Sequence, residues 1–172
     1  MFTRVLLISI LIISAIFHAC MPERSYIEDS EAALEFTVDT VFFDTVFTTI
    51  STVTRSFRVK NPHNKFIKID EITLAGGSTS FFRLNVDGKS GTRFTGYEIA
   101  PGDSMYVFVD ATPGENRSDG ILRIQDSVVF LTNGNVQDVD IVAWGQDVHI
   151  FSRDTIFHSA TWTSGKPYLI KD

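Results

Sequence analysis

Residues 121–146 read ILRIQDSVVFLTNGNVQDVDIVAWGQ, and this stretch is the most informative part of the chain for its fold. Asn133-Gly134 separates two runs rich in Val, Ile and Leu, and this dipeptide is the strongest short signal for a two-residue β-hairpin turn. Polar and apolar residues alternate in the second run. One face of that strand collects Val139, Ile141 and Ala143, and the other collects Asp138, Asp140 and Trp144. The stretch therefore predicts a long antiparallel hairpin with one buried face.

Outward from this hairpin, similar alternation recurs through residues 34–148, interrupted at short intervals by Gly, Pro, Asn and Asp. Because no segment has the pattern of a crossover helix, the sheets should be largely antiparallel. We predict an all-β fold, an immunoglobulin-like antiparallel β-sandwich of about 7–8 strands. The side chains expected to form its core on facing sheets are Phe57, Val59, Ile69, Val107, Val109, Ile124, Ile141 and Ala143.

One predicted strand, over residues 66–74, changes phase along its length. Ile67 and Ile69 share one parity, whereas Ile72 and Leu74 share the other. An extra residue in a strand reverses the faces of all later side chains. The sequence therefore predicts a β-bulge at Asp70-Glu71.

The composition excludes several classes of function. The 172 residues include 15 Lys and Arg against 21 Asp and Glu, for a formal net charge of −6. This balance argues against a nucleic-acid partner, which requires a basic surface. A single Cys excludes a disulfide framework and a multi-Cys zinc site. The four His are not spaced as metal ligands, so we expect no metal and no other cofactor.

The N-terminal residues have the pattern of an export signal. Arg4 precedes thirteen residues, 5–17, that are apolar except for Ser9 and Ser14. A helix of that length reaches about 20 Å, whereas the hydrocarbon core of a bilayer is about 30 Å thick. We therefore assign residues 1–19 to a signal peptide and not to a membrane span.

The only thiol of the chain, Cys20, follows Ala19 directly after the apolar run. This arrangement resembles the lipobox of bacterial lipoproteins, although His18 and Phe17 are unusual in the two positions before Ala19. The resemblance implies cleavage before Cys20, acylation of that residue and a membrane partner reached through a lipid anchor. Met21 follows in place of the Asp that favours the inner membrane, which is consistent with the outer membrane. The alternative is an ordinary secreted protein.

The segments on either side of the predicted sandwich differ in character. Residues 20–33 are acidic and lack an apolar period, so we expect an open tether. Residues 149–172 are too apolar for a disordered tail and too short for a core of their own. This tail either packs back on the sandwich or forms the stub of a following domain, and we prefer the stub.

Several short motifs carry a resemblance to a known family. RSFRVKN at 55–61, IAPGDS at 99–104 and GILRI at 120–124 resemble Hydin-type, major-sperm-protein-like immunoglobulin domains. Together with FFDTVF at 42–47 and AWGQD at 143–147, they resemble the N-terminal part of certain Gram-negative surface lipoproteins. In those proteins the sandwich often precedes a right-handed parallel β-helix. The resemblance implies a scaffold or binding domain and not a catalyst.

Catalytic motifs are weak or missing in the sequence. GTRFTG at 91–96 has the glycine spacing of a P-loop, but Tyr97 and Glu98 stand where Lys and Ser or Thr are required. Neither the Gly-x-Ser-x-Gly nor the His-Glu-x-x-His pattern occurs. We therefore expect no enzymatic activity.

One triplet, Asp followed by Ser or Thr and an apolar residue, recurs along the chain. It resembles the acceptor signal of a bacterial periplasmic O-glycosylation system, and strand alternation also generates it. The hydroxyl residues of the five triplets are Thr40, Thr45, Ser104, Ser127 and Thr155.

These observations favour a lipid-anchored, non-enzymatic cell-envelope protein that presents its sandwich to a protein or glycan partner. A second hypothesis is a carbohydrate-binding surface lipoprotein, with Tyr97, Trp144 and Trp162 as contacts. Alternatively, Trp144 packs beneath the C-terminal tail. A third hypothesis is that the chain is the N-terminal part of a truncated β-helix protein.

Overall fold

The computed structural model describes residues 24–48, 50, 54–114, 121–152, 159 and 161–171. The predicted signal peptide, Cys20 and Thr155 lie outside these residues. The strands are β1 (Glu35–Phe36), β2 (Thr40–Phe47), β3 (Arg55–Lys60), β4 (Ile67–Leu74), β5 (Phe82–Val86), β6 (Lys89–Gly91), β7 (Arg93–Ile99), β8 (Ser104–Ala111), β9 (Ile121–Thr132), β10 (Asn135–Gln146), β11 (His149–Ser152) and β12 (Tyr168–Lys171). The only helical element in the described part of the chain is a 3₁₀ turn, Gly77–Thr79.

The strands form two five-stranded sheets and a separate pair. The first sheet has the order β1-β3-β8-β5-β6, the second has the order β2-β10-β9-β4-β7, and β11 pairs with β12. The apolar faces of the two larger sheets enclose one continuous core. The fold is therefore the predicted all-β immunoglobulin-like sandwich.

The hairpin predicted at Asn133-Gly134 is confirmed. Both residues have positive φ, 50° and 80°, as a two-residue type I′ turn requires. The ladder between β9 and β10 runs without a shift from Thr132 opposite Asn135 to Ile121 opposite Gln146. This hairpin forms the middle of the second sheet.

Within the sandwich, one strand pair departs from the antiparallel pattern. β2 runs parallel to β10, with Val41 opposite Ile141. β1 pairs with β3 in the first sheet. The chain then crosses to the second sheet, where β2 is an edge strand. In this ladder Phe42 and Thr45 pair with Val142 and Trp144, so β2 carries one extra residue and a local bulge. The other pairs of the sandwich are antiparallel, as expected.

The predicted core is confirmed, since all eight expected side chains are buried. Phe57 of the first sheet and Phe130 of the second meet edge to face, with ring centroids 6.2 Å apart and planes at 81°. Phe36 adds a ring 5.0 Å from Phe130. Aromatic contacts across the two sheets therefore take the place of a disulfide-centred core.

The expected bulge in β4 takes a different form. Burial changes parity between Ile69 and Ile72, as predicted, but pairing with β7 keeps one register on both sides of the change. The partner strand changes phase at the same level, where Gly96 has a φ of 72°. Because β4 and β7 change phase at the same level, neither strand has an extra, unpaired residue.

The expected open tether is wrong for the part that the structure describes, residues 24–33. Tyr26 forms a parallel bridge with Phe66, and the rings of these residues lie 5.9 Å apart. Asn133 Nδ2 donates hydrogen bonds to the carbonyls of Ile27 and Asp29. Ala32 is buried with the core. Side-chain and backbone groups far along the chain therefore hold this segment against the sandwich.

The tail pairs with itself. β11 and β12 form a parallel ladder from His149 opposite Tyr168 to Ser152 opposite Lys171. Trp162 stacks on Phe151 at 5.5 Å, and Tyr168 stacks on His149 at 4.8 Å. Lys166 joins this unit to the sandwich through an ion pair with the buried Asp147.

Candidate functional site

The outer face of the β2–β10–β9 sheet is the first candidate surface. Three cross-strand rows lie side by side: Thr40, Asp140 and Ser127; Phe42, Val142 and Gln125; and Thr45, Trp144 and Arg123. Phe42 is 60% exposed, and Trp144 is half-buried. This face therefore combines aromatic rings with hydrogen-bonding groups.

A small groove of about 180 Å³ opens on this face, next to Ala75, Arg123 and Gln125. Ser127 Oγ donates to Asp140 Oδ1 at 2.9 Å. Asp126 accepts hydrogen bonds from the backbone N–H of Gly76 and from the hydroxyl of Ser80. These acids already have internal partners, so the groove is a polar surface whose acids help to hold the fold.

The outer face of the first sheet is the second candidate surface. Tyr106 and Phe108 project from the central strand β8 with ring centroids 6.0 Å apart and planes at 24°. Tyr106 is 51% exposed and Phe108 is 39% exposed. A groove of about 370 Å³ lies beside them, next to the Asp87-Gly88 turn and Ser104. We call Tyr106, Phe108 and their immediate neighbours on β3 and β5 the β8 aromatic surface.

Sequence reasoning missed the β8 aromatic surface. The alternation of Met105, Val107 and Val109 drew attention to the buried side of β8. The same alternation places Tyr106 and Phe108 on the solvent side, and two outward aromatic residues in one strand were the available signal.

The three side chains predicted as glycan contacts lie apart. Tyr97, on the edge strand β7, packs on Phe94 and donates its hydroxyl to the Val86 carbonyl at 3.3 Å. Trp144 lies on β10, and two strands, β9 and β4, lie between β10 and β7. Trp162 is 46% exposed, and its ring contacts lie within the tail. Among the described residues, no aromatic contact joins Trp144 to the tail.

The Asp-Ser/Thr triplets have a shared local geometry in three cases. The Oδ1 atoms of the acids accept the backbone N–H of the next residue, at 2.8 Å for Thr45, 2.7 Å for Ser104 and 2.8 Å for Ser127. Thr45 is exposed, whereas Thr40, Ser104 and Ser127 are half-buried. The triplets therefore also have a structural use, since the acid satisfies the backbone donor of the residue that follows it.

Metal-binding and catalytic groups are poorly represented in the described part of the chain. No group of three or more His, Cys, Asp or Glu there is arranged to hold a metal ion. His63 Nε2 lies 3.0 Å from the Ala33 carbonyl, and His149 stacks on Tyr168. Among the described residues, neither of these imidazoles pairs with the Ser127–Asp140 hydrogen bond.

None of the helical structure in residues 24–171 that the structure describes is both long enough and apolar enough to cross a bilayer.

Comparisons with known proteins identify the fold. No protein-family model matches the sequence, and no curated protein is significantly similar to it. A protein of unknown function from Porphyromonas gingivalis W83 has a TM-score of 0.50 at 12% identity, over 72% of this chain and 49% of that one. The chain thus spans about half the length of that protein.

Two further solved structures are similar over most of the sandwich. PapD-like domain 7 of human CEP192 has a TM-score of 0.44 at 10% identity, over 75% of this chain and 96% of that one. The E. coli chaperone DraB has a TM-score of 0.42 at 10% identity, over 67% and 55%. The similar structures also include two more chaperones, and hydrolase and protease chains that are matched over at most 31% of their length.

Proposed function

We propose that the chain is a lipid-anchored, non-enzymatic cell-envelope protein whose sandwich serves as a binding module or scaffold at the outer membrane. The main evidence for the anchor is the apolar run 5–17, which is followed by the only thiol of the chain, Cys20. The resemblance to Gram-negative surface lipoproteins supports the same assignment. The two polar-aromatic sheet faces support a binding role, because exposed aromatic groups beside hydrogen-bonding groups are typical of recognition surfaces.

The contacts of Arg24 support an anchor close to one end of the sandwich. Arg24 lies 3.2 Å from Glu98 of β7 and 5.5 Å from the centre of the Phe66 ring. Four residues from Cys20 to Arg24 span at most about 14 Å. An acylated Cys20 would therefore hold the sandwich with Phe66 and Glu98 near the bilayer. The outer faces of both sheets would then remain accessible.

Membrane fractionation tests the proposed anchoring. The full chain is expressed in a Gram-negative host, and the envelope is washed with high salt and alkaline carbonate. We expect the protein to stay with the outer membrane and Cys20→Ser to appear in the soluble fraction, because acyl chains are hydrophobic anchors. Release of the unmodified chain by these washes would refute the anchor.

A second candidate function is favoured by the parallel pair β11–β12. Parallel sheets are normally buried on both faces, yet Ile150 and Ile170 are exposed at 42% and 67%. Such a pair is suited to begin a stacked parallel array, as in the β-helix proteins that the sequence resembles. The sandwich would then act as the N-terminal part of a longer protein. Reading the gene beyond the codon for Asp172 tests this candidate, and a stop codon with no β-helix repeats downstream would refute it.

A further inference from the structure

The β8 aromatic surface has a regular arrangement of side chains. The pairing of β3 with β8 places Arg58 opposite Tyr106 and Ser56 opposite Phe108. On the other side, β5 places Asn85 opposite Phe108, and Asp87, in the turn beyond β5, lines the same groove as Tyr106. Two aromatic rings are thus flanked by a hydrogen-bond donor on one side and by an acceptor and an amide on the other.

The charged side chains beside the rings, Arg58 and Asp87, are exposed. Within the residues that the structure describes, the Arg58 guanidinium and the Asp87 carboxylate make no hydrogen bond or ion pair. Asn85 has one long contact, 3.4 Å to Ser90 Oγ. Asp87 keeps a φ of 51° in the tight turn beyond β5. The turn therefore fixes an open carboxylate beside Tyr106.

The size of the apolar area argues against a protein partner. With about half of each ring exposed, Tyr106 and Phe108 offer roughly 200 Å² together. A standard protein interface buries about 800 Å² on each partner, of which somewhat more than half is apolar, so the two rings supply less than half of the apolar area that it needs. The adjoining groove of about 370 Å³ has instead the volume of a small-ligand site.

The chemistry of the surface selects a polyhydroxylated, uncharged ligand. The C–H groups on the face of a pyranose ring carry partial positive charge and are attracted to aromatic ring faces. Its hydroxyl groups both donate and accept, which matches Asp87, Asn85 and Arg58. Because Arg58 and Asp87 have opposite charges on the two sides of Tyr106, neither an anionic nor a cationic ligand is favoured.

We propose that the β8 aromatic surface binds a neutral pyranose unit of a glycan, with Tyr106 and Phe108 as stacking groups. This inference rests on the binding role proposed above and names the class of ligand. It moves the carbohydrate contacts from Tyr97, Trp144 and Trp162 to a surface that the sequence did not single out.

Isothermal titration calorimetry on the full chain tests the proposal. The chain carries Cys20→Ser, so binding is measured independently of lipid anchoring. The probes are four neutral hexasaccharides, built from glucose, mannose, galactose and N-acetylglucosamine. We expect at least one of them to bind with a Kd below about 1 mM. We expect Tyr106→Ala and Phe108→Ala each to weaken that binding by about tenfold, since each removes one stacking surface.

Two kinds of variant separate the roles at this surface. Asp87→Asn keeps a residue that tolerates positive φ and removes the charge, so a loss of about threefold is expected from one weakened hydrogen bond. Phe81→Ala is the matched control, because Phe81 is an exposed aromatic residue that belongs to neither candidate surface. It should leave the affinity unchanged.

Three results would overturn the proposal. The first is a Kd above about 1 mM for all four hexasaccharides. The second is binding that is lost in Phe42→Ala and kept in Tyr106→Ala, which would place the site on the β2–β10–β9 face. The third is self-association of the chain that Tyr106→Ala abolishes, which sedimentation velocity would detect. None of these results bears on the membrane fractionation of the unmodified chain, so the two proposals fail separately.

Discussion

Lys166 Nζ lies 3.1 Å from Asp147 Oδ2, and this ion pair joins the C-terminal strand pair to the sandwich. The Asp147 side chain is 8% exposed and also accepts a hydrogen bond from the Thr48 hydroxyl at 2.9 Å. Asp147 follows β10 directly, whereas Lys166 precedes β12. The pair is therefore one contact between the tail and the sandwich.

The first prediction is that Lys166→Met loosens the tail. Removing the cation leaves a buried carboxylate with one fewer partner, at a cost of about 1–2 kcal/mol. We expect amides of β11 and β12 to exchange hydrogen faster, with the sandwich strands unchanged. Hydrogen-exchange mass spectrometry measures both regions.

The matched control for this prediction is Lys171→Met, since Lys171 is an exposed cation at the end of β12. It should leave the exchange unchanged. If Lys166→Met also has no effect, the tail is held by other contacts. In the unmodified chain, protection across residues 162–170 as strong as in the sandwich strands would contradict our preference for the stub of a following domain.

The second prediction concerns the contact between the sheets. Phe57 is 1% exposed and meets Phe130 edge to face. Phe57→Ala should lower the free energy of unfolding by about 3–5 kcal/mol, because it removes a buried ring and leaves a cavity. Urea denaturation followed by fluorescence measures the change. The exposed Phe42→Ala should change it by less than about 0.5 kcal/mol. A loss below about 1 kcal/mol for Phe57→Ala would mean that this ring is not central to the core.

The features predicted well from sequence are those encoded by neighbouring residues. Asn133-Gly134 determines its turn through its own backbone preferences, and alternation alone assigns Phe57 and Ile141 to the core. The docking of residues 24–33 was not predictable in this way. It depends on groups such as the Asn133 side chain, which lies 106 positions from Ile27 along the chain.

The same distinction applies to the candidate site. Alternation places Tyr106 and Phe108 outward, but only the register of β3 and β5 brings Arg58 and Asn85 beside them. The register between strands that are distant in sequence is set by packing across the sheet, and alternation within one strand does not reveal it. For the same reason, Tyr97 and Trp144 were grouped by residue type although they lie on separated strands.

The third prediction tests the docked N-terminal segment. Asn133→Gly keeps the positive φ of the turn and removes the two hydrogen bonds that the side chain donates to Ile27 and Asp29. We expect a loss of about 1 kcal/mol in unfolding free energy and faster exchange in residues 24–33. Asn64→Gly, at an exposed turn position, serves as the control. Equal exchange in Asn133→Gly and the unmodified chain would show that Asn133 does not hold the segment.

The fourth prediction is that Cys20 is the site of lipidation. Cys20 is the only thiol in the chain, so Cys20→Ser should abolish incorporation of radiolabelled palmitate in a Gram-negative host. A second variant combines Cys20→Ser with Ser25→Cys, which restores a thiol five positions further along. Because the thiol must follow the apolar run closely to be acylated after export, this variant should also remain unlabelled. Labelling that persists in Cys20→Ser would refute acylation at Cys20. Labelling restored by Ser25→Cys would show that any nearby thiol is accepted and that the position of Cys20 carries no information.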